Sequence, residues 1–330
     1  MAILAQEKIL TLDNWKPASK LEVGDYVFDR KGQLVKVKLI QQYVGQDCYE
    51  ITLSDHLSIS GDGKLELPIE TPKYRKRVHE YKGKRAFRRP LKPTPVQNIV
   101  SDPLVDRRNR KLYSIPTTNP LKLPHKDLPV PPFVFGFWFF ARRSTGKLAA
   151  ARGTTDYVLE KFRDYGYKTK KHALMTTGEY DFSVTPSIPS QLVPNIPGVI
   201  PTNYLLASEE QRIELLFGII CAKNRQFDPR TQFFRFCSRH YDTARRVQML
   251  AESIGCTTNM EYNKNKKDYT VKFQSRTQLH PDHTPAPLKV HHGRRYVREI
   301  SSIPAQMCVH IETTGDDNTI LVGEGFIPCL

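Results

Sequence analysis

Lysine and arginine are the residues whose density in this chain suggests chemistry. Lys73-Tyr74-Arg75-Lys76-Arg77 and Lys82-Gly83-Lys84-Arg85-Ala86-Phe87-Arg88-Arg89 form a dense basic run with Tyr74, Tyr81 and Phe87 set among the cations. The whole chain carries a formal net charge of +16 at pH 7. A field of that sign and size suits a polyanion, and nucleic acid is the usual one. A charged solubility surface is the plainer reading of the total, and a solvated linker that of the run. The six cysteines (Cys48, Cys221, Cys237, Cys256, Cys308, Cys329) are scattered with no CxxC pairing. That argues against a zinc ribbon and a disulfide scaffold and for a reducing compartment. No metal and no other cofactor is expected. No apolar run approaches the ~20 residues that cross a bilayer, and no secretory signal pattern opens the chain. A cytoplasmic protein without a membrane partner is the expectation.

The elements that must position these residues follow from pattern. At 330 residues the chain has room for roughly two domains. Residues 1–70 read as short strands: Tyr26-Val27-Phe28, the alternating Val35-Lys36-Val37-Lys38-Leu39-Ile40, and Cys48-Tyr49-Glu50-Ile51-Thr52-Leu53, divided by turns such as Asp29-Arg30-Lys31-Gly32. Residues 71–132 hold the basic run and then recurrent prolines, which restrict their neighbours and cannot donate to a ladder. An extended connector is expected there.

Residues 133–290 read as α+β. Ser208-Glu209-Glu210 is a helix start, because a serine oxygen caps free amides and early carboxylates suit the helix dipole. Helical spacing also runs over 156–164 and 243–254, and 232–237 reads as a strand. The order apolar helix, basic turn, strand, helix, glycine occurs twice, from Phe133 and from Arg212, with Gly136 and Gly218 inside the apolar helices. Two similar halves about a pseudo-twofold axis are expected. Residues 291–330 return to strands, so the two chain ends can complete one β domain around an insertion.

With this layout the chain resembles an intein of the Hint family carrying an inserted LAGLIDADG homing-endonuclease domain. The resemblance rests on four stretches in order. Ala2-Ile3-Leu4-Ala5-Gln6-Glu7-Lys8-Ile9-Leu10-Thr11, with Leu21-Glu22-Val23-Gly24-Asp25, is similar to the N-terminal splicing block. Asn318-Thr319-Ile320-Leu321-Val322-Gly323-Glu324-Gly325-Phe326-Ile327-Pro328 is similar to the C-terminal block. Phe135-Gly136-Phe137-Trp138-Phe139-Phe140-Ala141-Arg142 and Leu215-Leu216-Phe217-Gly218-Ile219-Ile220-Cys221-Ala222-Lys223-Asn224 lie where the two endonuclease helices belong. The fold implied is an all-β, horseshoe-like Hint domain formed by both chain ends, with an inserted α+β domain of two pseudo-symmetric halves. Its implied bounds are 1–70 and 291–330 for the β domain, 71–132 for the connector and 133–290 for the insertion.

The resemblance also assigns positions. An intein attacks the preceding carbonyl with a Cys or Ser at its first residue; Ala2 stands there. A helper histidine belongs near Ser60-Gly61-Asp62-Gly63-Lys64-Leu65, where Lys64 stands instead, and His56 is off-register. The terminal pair Cys329-Leu330 puts Leu330 in a second helper position and leaves the cyclising asparagine without a counterpart. Each endonuclease helix should end in an acid that holds divalent metal. Ala141 and Lys223 occupy those positions, and Asp228 is off-register.

What the resemblance leaves is a binding apparatus. Strands over 232–239 and 269–276 would face DNA, with Arg235 and Arg239 toward base edges. Arg142, Arg143, Lys223 and Arg225 would meet phosphates, and Lys73, Arg75, Lys76, Arg77, Lys84, Arg85, Arg88 and Arg89 would form a second basic patch. The expectation is a nucleic-acid-binding pseudoenzyme with double-stranded DNA as partner. A structural or assembly component meeting a phage or host protein complex, encoded by a phage or mobile element, is the second reading. An inactivated variant of a self-splicing intein with an endonuclease domain is the third.

Overall fold

Alternation of apolar and polar residues dictates the first unit. In β5 (Leu34–Gly45) Val35 and Val37 are buried while the alternating Lys36 and Lys38 face solvent, the period-two signature of a half-covered strand. The computed structural model describes residues 2–75, 93–189, 199–222, 227–228, 230–275, 277–279 and 294–330. The chain divides into a unit of Met1–Leu121 with Val290–Leu330 and a unit of Lys122–Lys289. Most elements are strands. The first unit holds β1 (Ala2–Leu4), β2 (Lys8–Leu10), β3 (Trp15–Pro17), β4 (Tyr26–Phe28), β5, β6 (Cys48–Leu53), β7 (Ser58–Asp62), β8 (Glu66–Pro68), β9 (Pro93–Pro95) and β10 (Ser114–Pro116). After the second unit come β18 (Arg294–Ile303), β19 (Gln306–Thr313), β20 (Ile320–Val322) and β21 (Ile327–Cys329). An eight-stranded sheet runs β10-β18-β6-β7-β1-β19-β5-β4, so the two ends of the chain interleave in one sheet. A second sheet runs β21-β20-β2-β3, and Ile3, Ile9, Ile51, Ile59, Val309, Ile311, Val322 and Ile327 from the two sheets form the core of the unit.

The expected connector over 71–132 does not hold in its described part. Residues 93–121 belong to the first unit, where β9 pairs with β8 and β10 pairs with β18. Val96, Ile99 and Ile115 are buried in the core. The prolines are tolerated because they lie in short strands or just before a turn, where a missing N–H removes little. The boundary falls at 121/122, earlier than expected, because the segment after it is tied to the second unit. Lys126 N–H donates to Gln211 Oε1 at 2.9 Å and the Tyr204 hydroxyl to the Val130 carbonyl at 2.9 Å. Residues 76–92 lie outside the described residues.

The second unit contains α1 (Pro132–Ala141), β11 (Leu148–Ala151), α2 (Thr155–Asp164), β12 (Lys168–Leu174) and β13 (Glu179–Thr185). Then follow α3 (Thr202–Leu205), α4 (Glu209–Ala222), β14 (Phe227–Asp228), β15 (Phe233–Ser238), α5 (Tyr241–Ser253), β16 (Thr257–Asn263) and β17 (Asp268–Gln274). The halves repeat one plan of helix, strand, helix and hairpin. Their strand orders, β11-β13-β12 and β15-β17-β16 with β14 added outside, correspond.

α1 is apolar all round and begins with a proline at a position where no N–H is needed. α4 opens with a reciprocal cap: Gln211 N–H donates to Ser208 Oγ at 3.4 Å, and Ser208 N–H to Gln211 Oε1 at 3.2 Å. The two helices touch through glycine. A Cβ on Gly136 would lie 2.4 Å from the Leu215 carbonyl oxygen, and one on Gly218 would lie 2.2 Å from that of Phe133. Any larger residue would drive the backbones apart.

Candidate nucleic-acid interface

Each half of the second unit turns one sheet face toward a helix and leaves the other to solvent. In the second half Phe234, Phe236, Val271, Phe273 and Met260 are buried on the helix side. The opposite side carries Phe233, Arg235 and Cys237 from β15, all exposed. Cross-strand register aligns Arg235 with Lys272 and Asn259, and Cys237 with Thr270 and Glu261. Lys272 Nζ lies 2.8 Å from Glu261. A surface pair of this kind stabilises by about 0–1 kcal/mol, so it yields readily to a phosphate. Arg235 and Arg239 are exposed and form no ion pair among the described residues.

The first half presents a matching row. Lys168, Lys170 and His172 share one side of β12 by period two, and His172 Nε2 is 3.3 Å from Ser183 Oγ on β13. On the other side Phe182 meets Phe162 of α2 at 5.6 Å, and Lys171 lies over the Tyr180 ring at 4.2 Å. Lys168 and Lys170 are exposed without a carboxylate partner among the described residues. These lysines were not among the expected contacts; the alternation Lys168-x-Lys170-x-His172 is the signal that marks them.

At the end of α1 the side chains divide in role. Ala141 is buried and offers no donor atom. The guanidinium of Arg143 is already matched, 2.8 Å from Asp181 and 2.7 Å from Glu179, so it holds the turn to β13 and is not free for phosphate as expected. Arg142 is exposed and stacks over Trp138 at 5.3 Å. It borders a groove of about 530 Å³ lined by Trp138, Arg143, Ser144, Ser183 and Ile188. This donor set does not fit a divalent cation: Ala141 offers no ligating atom, and the nearby carboxylates Asp181 and Glu179 are both bound by Arg143. Among the described residues no group of three or more His, Cys, Asp or Glu could hold a metal. Lys223 and Arg225 lie outside the described residues.

Of the basic patch, Lys73 is exposed, while Lys76, Arg77, Lys84, Arg85, Arg88 and Arg89 lie outside the described residues. Arg75 departs from expectation. Its guanidinium donates to the carbonyls of Glu70 (2.7 Å), Leu112 (3.2 Å) and Lys111 (2.7 Å) and to Ser114 Oγ (2.9 Å), and sits over the Tyr296 ring at 5.5 Å. Burial lowers its pKa. Arg75 clamps the first unit, with both terminal nitrogens of its guanidinium engaged.

The two chain ends approach one segment of the first unit. Ala2 pairs with His310, and its carbonyl oxygen is 2.4 Å from where a Cβ on Gly61 would stand. Leu330 N–H donates to the Glu66 carbonyl at 2.9 Å. Lys64 falls in sequence between Gly61 and Glu66 and is exposed, its N–H bonded to Asp62 Oδ1 at 2.8 Å. Asp62 also accepts from the Tyr43 hydroxyl at 2.5 Å. Positions 2, 64 and 330 thus share a neighbourhood, but their side chains are a methyl, an ammonium and an isobutyl group, none of them a nucleophile activated for acyl transfer. Burial pushes the Cys329 thiol up, and burial with the nearby Cys48 pushes that of Cys308 up to about 12, so neither supplies a thiolate near neutrality. His56 sits in a turn at φ +65° with Nδ1 2.9 Å from Arg298.

No family model matches the chain. Its sequence is 22% identical, over 352 residues, to the replicative DNA helicase DnaB of Mycobacterium intracellulare, an alignment covering 99% of this chain and 58% of the relative. The chain therefore spans little more than half the length of that curated relative. Among solved structures it is similar to the Msm DnaB1 intein splicing domain bound with zinc, at 23% identity over 21% of this chain and 55% of that one, TM-score 0.20. It is similar to the gp41-1 intein at 15% identity over 34% and 74%, TM-score 0.23. Mesophilic variants of the homing endonuclease I-DmoI align at 8% identity over 46% and 91%, TM-score 0.31.

Among the described residues no helix is long and apolar enough to cross a membrane.

Proposed function

We propose that the chain is an intein-derived pseudoenzyme that binds double-stranded DNA through the solvent-facing sheet faces of its second unit. One observation carries this reading: each half backs its sheet with a helix and exposes a cationic row, Lys168 and Lys170 in one and Arg235 and Lys272 in the other. Strands of this kind fit a major groove, with cations on phosphates setting position and polar side chains reading base edges. The intein-derived origin draws on the sequence match across nearly the whole chain and on the interleaving of both chain ends in one sheet. The pseudoenzyme reading draws on Ala2 and Lys64 in the first unit and on Ala141 at the end of α1.

The test pairs two charge reversals in the full chain, Lys168→Glu with Lys170→Glu and Arg235→Glu with Lys272→Glu. Each pair should weaken binding to random duplex DNA and flatten its salt dependence. Duplex affinity unchanged in both variants would remove the sheet faces from the interface. The unaltered chain should neither cleave at its N-terminal peptide bond in thiol nor nick plasmid in Mg²⁺ or Mn²⁺; either activity would refute the pseudoenzyme reading.

A further inference from the structure

Three tyrosines gather at one end of the second half. Tyr262 of β16 and Tyr269 of β17 are register partners with ring centroids 4.9 Å apart. Tyr241, the first residue of α5, meets Tyr269 from the other side at 5.4 Å. Tyr241 is 48% exposed and Tyr262 51%. Rings this exposed are not core residues, and each leaves about half of its surface to solvent while leaning on Tyr269. By period two, Tyr262 and Tyr269 lie on the side of Met260 and Val271, which is the helix-covered side. The cluster therefore sits at the rim of that side, apart from the Arg235–Lys272 row.

Cations flank the cluster along the chain. Arg239 precedes Tyr241, and Lys264, Lys266 and Lys267 form the hairpin between Tyr262 and Tyr269, all exposed and without an ion pair among the described residues. Asn263 Oδ1 accepts from the backbone N–H of Asn265 at 3.0 Å and Lys266 at 3.1 Å, which orders the turn that carries these lysines. The carboxylates next to the cluster in the chain are Asp242, Asp268 and Glu261, the last already paired with Lys272, so the four cations outnumber the three anions.

We propose that this cluster is a stacking platform for the unpaired bases of a single DNA strand. Rings with free faces bind bases, and flanking cations bind the strand's phosphates. A duplex cannot use the site, because its base faces are already stacked inside. The choice of DNA rests on the proposed function above; the recognition of unpaired bases rests on the tyrosines alone.

The experiment measures fluorescence anisotropy with the full chain, using an oligothymidylate of about 12 nucleotides and a random duplex as separate probes. The intact chain should bind the oligothymidylate, with quenching of tyrosine emission. Tyr241→Ala with Tyr262→Ala should weaken that binding by about 5- to 150-fold for each base unstacked. Its duplex affinity should stay within about twofold of the intact chain, because the cluster lies off the sheet face. Tyr241→Phe with Tyr262→Phe should retain oligothymidylate affinity, since the ring and not the hydroxyl does the stacking. The proposal is overturned if the intact chain does not bind the oligothymidylate, if the alanine variant binds it as well as the intact chain, or if the alanine variant loses duplex and single-strand binding equally. Binding to the duplex alone would refute the platform and leave the sheet reading standing; binding to the oligothymidylate alone would do the reverse.

Discussion

Gly218 of α4 lies against the main chain of Phe133 in α1, close enough that a methyl group would stand 2.2 Å from the Phe133 carbonyl oxygen and 2.9 Å from the Phe137 nitrogen. Gly136 makes the reciprocal contact with Leu215. The obstacle in both cases is backbone, which cannot rotate away as a side chain can. Gly218→Ala should therefore destabilise the chain by about 1–3 kcal/mol, the range for overpacking a close contact. Gly153, with nothing within 4 Å of an added Cβ, is the control, and Gly153→Ala should be near neutral. Urea unfolding midpoints of the two variants check this.

Arg75 separates a structural arginine from a binding one. Removing its guanidinium leaves three carbonyls and a hydroxyl of the first unit without their donor. Arg75→Ala should destabilise the chain by about 1.5–3 kcal/mol and leave the salt slope of DNA binding unchanged. A slope flattened by about 0.9, the value for one lost phosphate contact, would show that Arg75 reaches DNA after all.

Asp317 sets a pH dependence. Burial alone would raise its pKa, but hydrogen bonds from Thr319 and the Arg30 guanidinium, 2.5 Å away, outweigh it and hold the carboxyl below its ordinary 3.8. A depressed carboxyl contributes stability that is present above pH 3.8 and lost as pH falls through the folded-state value. Asp317→Asn should then lower stability by about 1–2 kcal/mol at neutral pH, partial exposure of the pair being allowed for. The difference from the unaltered chain should shrink to nothing in acid below the folded pKa. Urea unfolding between about pH 2 and 7 follows it, and a difference that persists undiminished in acid would contradict the assignment.

Much of this architecture is legible in the sequence, for reasons particular to each element. Alternation in 35–38 marks β5, and Ser208-Glu209-Glu210 marks the start of α4, because the same local hydrogen bonds and burial operate whatever the tertiary context. The doubling of helix, strand, helix and hairpin is visible through Gly136 and Gly218, which recur because both helices need the same close approach. Residues 93–121 look like a connector in sequence because proline frequency reports what a segment cannot donate, not whether Val96, Ile99 and Ile115 find a core. Charge likewise reports solvent preference and not partners. Arg75 and Arg143 look like Arg142 and Arg235 in sequence, and only three-dimensional neighbours separate the bound guanidinium groups from the exposed ones. The tyrosine cluster was invisible because Tyr241, Tyr262 and Tyr269 meet only after α5 and the hairpin have packed.

The most direct test of the account is the affinity of the full chain for random duplex DNA across a salt series from about 50 to 200 mM. Phosphate contacts from the cationic rows predict a dissociation constant of roughly 10⁻⁴ to 10⁻⁶ M near physiological salt, tighter below it, with a log–log slope of about −0.9 for each phosphate engaged. No binding at micromolar chain in about 50 mM salt, or an affinity indifferent to salt, would contradict it.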